Sequence, residues 1–231
     1  MNRLLPFNQQ AKDTKGRLGH LELLATLVVL QVSQSFLSAD SVVQRALFNL
    51  LFLAVAISAI RTLSRSRIRM ITAVSAGLIA YALSTYADSH PTIALASAVD
   101  SCYVVVFLLL IIALAESVFG DGPVDLNRII GAVSIYFVLG FVFAAVFSLL
   151  ETFQPGAFGL TVTSEGVGSH QDTFSELMYF SNVTLTTLGY GDIQPVSRPA
   201  RTLATLEAMT GQLYLAIVMA RLVGLYISQR R

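Results

Sequence analysis

Apolar residues fall along this chain in long unbroken blocks, and six of them approach the ~20 residues needed to cross about 30 Å of hydrocarbon. They run Leu21 to Leu37, Val42 to Ile60, Met70 to Tyr86, Ile93 to Ala115, Ile129 to Leu150 and Leu203 to Ser228. The first is diluted at its far end by Gln31, Ser33, Gln34 and Ser35. It follows about twenty mostly polar residues, too far from the start for a cleavable signal, and so reads as a span. The segment between the last two blocks is neither greasy enough to cross nor polar enough for an ordinary loop. Its first half, ETFQPGAFGLTVTSEGVGSHQD, is rich in Gly, Ser and Thr and reads as an external loop over 151–172. TFSE, Thr173 to Glu176, then has the form of a capping box that starts a helix. That helix, 173–186, is too short to cross a bilayer and long enough to enter one and stop. Irregular backbone at membrane depth is tolerated only where protein buries it or where it lines a watery cavity. The pattern therefore predicts an all-α membrane protein of six transmembrane helices, with a re-entrant half-helix and an irregular segment, 187–191, between helices five and six.

Composition agrees: 55% of the residues are hydrophobic and only 13% charged, a balance that suits a bilayer. A net charge of +1, with the basic residues in a few short clusters, argues against nucleic acid as a partner. The single Cys102 has no partner for a disulfide, and His20, His90 and His170 are too scattered for a metal site. With no CxxC, no HExxH and no acid pair at catalytic spacing, the sequence predicts neither an enzyme nor a cofactor.

Lysine and arginine set the direction of the spans. Arg3, Lys12, Lys15 and Arg17 precede the first span, and Arg61, Arg65, Arg67 and Arg69 lie between the second and third. Those loops read as cytoplasmic, ADSHPT after the third span as external, and both termini as inside. The arginines at 61, 65, 67 and 69 are spaced to scatter around a helix, which fits contact with anionic lipid. The domain reading is a cytoplasmic tail 1–20, a four-helix bundle 21–116, a cytoplasmic linker 117–128 and a unit 129–231. Ile93 to Ala115 holds no basic residue, so the fourth span lacks the charges of a voltage sensor and predicts weak or absent voltage dependence. Only three residues follow Ser228, so no cytosolic sensing domain is expected after the last span.

The irregular segment has a chemistry that suits one task. An ion sheds its water only where other oxygens replace it, and a strand whose dihedrals alternate in hand can turn successive carbonyls to one side. Gly189 and Gly191 accept positive φ without steric cost. The carbonyls of Thr187, Leu188, Gly189 and Tyr190 then form a row, with the Thr187 hydroxyl at its inner end. Tyr190 is expected to turn away from the axis, against Tyr179 and Phe180 on the half-helix. That helix also aims its negative end at the cavity below, favouring a cation there.

Thr186 to Asp192, TTLGYGD, resembles the signature sequence of the potassium channel family, whose selectivity filter is built from main-chain carbonyls. The resemblance covers Ile129 to Ser228 as outer helix 129–150, pore helix 173–186, filter 187–191 and inner helix 200–228. Pro195 and Gly211 stand where that family has a proline after the filter and a glycine midway down the inner helix. Leu188 departs from the usual valine or isoleucine, and the chain has no tryptophan for an aromatic cuff. The resemblance implies K+ as permeant ion, bound at Thr187, Leu188, Gly189 and Tyr190 with Gly191 completing the filter, and a homotetramer, because one chain supplies one filter strand.

The remaining candidates follow from position. Gly211 is a hinge or a close-packing point, with equal weight. Leu215, Met219 and Val223 recur at helical spacing below it, as an apolar gate or as packing. Glu207, a turn above Gly211, is placed to accept hydrogen bonds from the pore helix. Asp192, at the external mouth, braces the filter and concentrates cations. Asp100 reads as reaching interfacial water from the outer part of its span, and Glu165 and His170 as solvated loop residues. The expectation is a potassium-selective channel in a bacterial inner membrane. The alternatives are a weakly selective monovalent cation channel, a subunit of a potassium transport system, or a nonconducting accessory subunit.

Overall fold

The computed structural model describes residues 7–33, 47, 50–52, 54, 55, 58, 67–89, 92–120, 126–160 and 170–228. Among them every regular element is helical: α1 (Phe7–Ser33), α2 (Arg67–Ser89), α3 (Ile93–Phe119), α4 (Leu126–Phe153), α5 (His170–Leu185) and α6 (Arg198–Ser228). The described positions between 47 and 58 are helical too, while the rest of the expected second span lies outside the described residues.

The helices overrun the apolar blocks, because polar residues sustain a helix as readily as apolar ones once it is nucleated. α1 begins at Phe7, so much of the stretch read as a tail is the first half of that helix. α3 keeps the expected start and continues to Phe119. Thr92, in an extended conformation, caps it by accepting from the Leu95 amide at 3.3 Å, and Gly120 ends it. α3 and α4 thereby take in 117–119 and 126–128 of the stretch expected as a linker, 117–128.

Among the described residues, two helices, Ile93–Phe119 and Leu126–Phe153, are both long and apolar enough to cross a membrane. α4 is the central one: 56% of its most apolar window is buried by protein, against 33% for α3. It packs on α3, α5, α1 and α6, while α3 packs in turn on α2. The main core lies along the α3–α4 seam, where Phe107 stacks on Phe141 with ring centroids 5.1 Å apart. Leu23, Leu27 and Leu30 of α1 recur at three- and four-residue intervals and are fully buried in the same cluster. A smaller cluster of Phe147, Phe158, Leu177, Phe180, Ala200 and Ala204 joins α4, α5 and the start of α6.

Asp100 departs from the sequence expectation. It is 0% exposed, and Ser148 Oγ of α4 donates to its Oδ2 at 3.0 Å. A carboxyl at that depth must be hydrogen-bonded, and the partner lies 48 residues away, out of reach of a local reading.

Candidate functional site

The site is built on α5, whose 16 residues span roughly 24 Å, too little to cross. The helix is already running at His170, so Thr173 and Glu176 lie inside it and do not form its cap. Asp172 stands in the first turn, where a negative charge complements the helix dipole. At the other end the Leu188 amide donates to the Val183 carbonyl at 2.9 Å and the Thr187 amide to that of Thr184 at 2.9 Å. These are the two bonds of a Schellman motif, which stops a helix and reverses the chain. Its left-handed position is usually glycine; here it is Thr187, at φ +58°. A β-branched residue in that region is held at a cost of about 1–2 kcal/mol.

Positive φ then recurs at every second residue. Thr187, Gly189 (+62°) and Gly191 (+82°) are left-handed, while Leu188 and Tyr190 between them are not. Alternation of hand is the backbone condition for turning successive carbonyls to one side. The sequence had pointed to the two glycines; the threonine was not anticipated. All five residues are exposed, Leu188 to 55% and Tyr190 to 67%.

Of the two aromatics expected around Tyr190, neither makes a ring contact with it among the described residues. Phe180 is buried in the smaller cluster, its ring 5.4 Å from Phe147 and 5.3 Å from Phe158. Consecutive helical residues point about 100° apart, so Tyr179 and Phe180 cannot share a face. Tyr179 takes the side of 187–192, and its hydroxyl donates to Asp192 Oδ2 at 2.7 Å. Gln194 Nε2 donates to the Gly191 carbonyl at 2.8 Å, and the Val196 amide to that of Ala157 at 2.8 Å, which ties the segment after 187–191 to the turn following α4. Ser197 then caps α6 through the Ala200 amide, at 3.2 Å.

The Tyr179 hydroxyl holds the Asp192 carboxyl below its usual range, a lowering that outweighs partial desolvation. A depressed carboxylate keeps this contact intact above its ordinary pKa and loses it as pH falls through the lowered value. In Tyr179→Phe, which lacks the contact, the Asp192 carboxylate is therefore expected to take up its proton at a higher pH. Titration of the Asp192 carboxyl followed by NMR in both proteins checks this; identical midpoints would rule the contact out.

At the C-terminal end of α5, α6 lies directly against it. Gly211 is buried, and a Cβ added there would overlap the Leu185 carbonyl oxygen, with Leu185 Cδ1 3.1 Å away. The same carbonyl accepts from the Tyr136 hydroxyl of α4 at 3.1 Å. One residue on, Gln212 Nε2 donates to Thr187 Oγ1 at 3.1 Å. A turn higher, Glu207 is 0% exposed and its Oε1 is in hydrogen-bond contact with Ser181 Oγ of α5, which also lies 2.8 Å from the Gly140 carbonyl of α4, so the one hydroxyl proton serves one of the two at a time. Gly140 permits that approach, since a Cβ there would meet Asn182 Oδ1 at 3.0 Å. Ser181→Ala would strip Glu207 Oε1 of this contact, and it is expected to destabilise the protein by about 1–3 kcal/mol. Glu207→Gln, similar in shape, should be tolerated. Thermal unfolding of both variants distinguishes them.

Tyr136, Ser181 and Gln212 were not singled out in the sequence. A glutamine beside a glycine in an apolar run was the one available signal, as polar residues inside a span mark contacts or pathways. Of the gate candidates, Leu215 is 44% exposed. Met219 and Val223 lie on α6, with side chains outside the described residues. Arg61, Arg65 and Glu165 are outside the described residues, and Arg67, Arg69 and His170 are helical positions whose side chains are outside them.

Residues 132–228, from the first turns of α4 to the last residue of α6, match a family model described as an ion channel. Over those residues the chain is similar to an ion-channel domain. The inward rectifier potassium channel Kirbac3.1 of Paramagnetospirillum magnetotacticum is 31% identical over 99 residues, 41% of this chain. That alignment covers 27% of the relative, so the chain spans about a quarter of its length. No solved structure matches. The matched span contains every contact described around Leu185, Thr187 and Glu207.

Proposed function

We propose that four copies of the chain surround a pore that passes K+ passively, with the carbonyls of Thr187, Leu188, Gly189 and Tyr190 replacing the water of the permeating ion. The observation that carries this reading is the alternation of backbone hand at Thr187, Gly189 and Gly191, directly after a helix too short to cross. A single row of carbonyls cannot encircle an ion, whereas four rows can. The exposed apolar side chains of Leu206, Met209, Leu213 and Ile217 fall on one face of α6 and would be covered by neighbouring subunits. The relative's name, a potassium channel, supports the choice of ion.

In this assembly α5 is re-entrant, six helices per chain cross a bacterial inner membrane, and both termini are cytoplasmic. The arginines at 61, 65, 67 and 69 face anionic lipid. The purified full chain in proteoliposomes tests the reading: K+ flux is expected to exceed Na+ flux by orders of magnitude. Comparable fluxes would favour a weakly selective cation channel, and no flux would favour a subunit of a larger transport system or an accessory protein.

A further inference from the structure

We infer that Gln212 is a positioning residue for the innermost cation site, fixing the Thr187 hydroxyl from the inner helix; this rests on the proposed conduction through 187–191. Three observations converge on it. Thr187 occupies a left-handed position, φ +58°, where glycine is the usual choice and a β-branched residue is strained. Strain of that kind persists where the surroundings over-determine it and where the side chain is needed. Gln212 Nε2 donates to Thr187 Oγ1 at 3.1 Å, bridging 25 residues of sequence. The register that allows this bond is set one residue earlier, where Gly211 lets α6 close onto the Leu185 carbonyl.

Hydrogen-bond arithmetic gives the contact its consequence. A threonine hydroxyl has one proton and two lone pairs. With one lone pair engaged by the Gln212 amide, the other is held in a fixed direction and can meet a partly dehydrated monovalent cation entering from the cavity. Without that bond the hydroxyl rotates freely, and the strain at Thr187 has no compensating contact from α6. Gln212 would not touch the ion; it acts through Thr187. A movement of α6 would also be felt at the inner end of the filter through this bond.

The test is K+ titration of the purified full-length protein against a Na+ background, by calorimetry, with thermal unfolding followed alongside. Gln212→Leu removes the donor and is expected to weaken K+ binding roughly tenfold, the scale of one lost hydrogen bond, with Na+ binding unchanged and the protein still folded by its unfolding transition. Gln212→Glu can accept from the Thr187 hydroxyl and should restore most of the affinity. Gln212→Asn, one methylene too short, should resemble the leucine variant and serves if the latter fails to assemble. K+ affinity unchanged in both the leucine and asparagine variants, with Thr187→Ala impaired, would overturn the role of Gln212 and leave the channel reading standing. No saturable K+ binding by the unmodified protein would overturn both.

Discussion

Gly211→Ala is expected to lower the unfolding midpoint of the protein by about 3–10 °C, the shift that roughly 1–3 kcal/mol of overpacking produces in a chain of this size. The added Cβ would strike the Leu185 carbonyl oxygen, a backbone atom that cannot swing aside, so α6 and the last turn of α5 must separate. Separation would also lengthen the Gln212 to Thr187 contact and the Tyr136 to Leu185 bond. The two roles weighed for this glycine make different predictions. A pure hinge would leave the resting structure intact and alter only opening, whereas a packing glycine costs stability at rest. Helix α6 is continuous through position 211, and the contact favours packing. An unfolding midpoint unchanged from the parent protein would return the residue to the hinge role.

Gly189→Ala is expected to abolish K+ selectivity for the opposite physical reason. Space is plentiful there: nothing lies within 4 Å of a Cβ built on Gly189. What the substitution cannot keep cheaply is φ +62°, which costs a non-glycine residue about 1–2 kcal/mol. In four copies the strain reaches roughly 4–8 kcal/mol on the same arithmetic, enough for the strand to flip and turn a carbonyl out of the row. K+ and Na+ flux from the variant in proteoliposomes should then become similar or fall to background. Full K+ selectivity retained in the alanine variant would mean that left-handed backbone at this position is dispensable. Gly189 and Gly211 thus illustrate two distinct uses of a missing Cβ, one conformational and one steric.

Much of this was legible in the chain because bilayer thickness and backbone satisfaction are severe constraints. Blocks of apolar residues located α2, α3, α4 and α6, and the glycine spacing located the segment of alternating hand. The signals failed where the deciding partner is far away in sequence. Asp100 is explained by Ser148 and Thr187 by Gln212, neither visible to a local pattern, whereas Glu207 was placed against the half-helix and only its partner there, Ser181, was not named. They failed also where one pattern has two readings: a Thr-x-x-Glu sequence inside a helix looks the same as one at its start. Phe180 was assigned to the filter by adjacency to Tyr179, although the 100° step between them sends it to Phe147 and Phe158 instead. Helix ends were the least legible, since hydropathy measures how far a helix is greasy and not how far it continues.

The most direct measurement is diffraction from the assembled protein with rubidium in place of potassium. The account predicts a single file of ion density on a fourfold axis, each peak flanked by carbonyl oxygens of residues 187–190 from four chains. A stably monomeric protein, or Gly189 to Gly191 facing lipid or bulk water with no ion beside them, would contradict it.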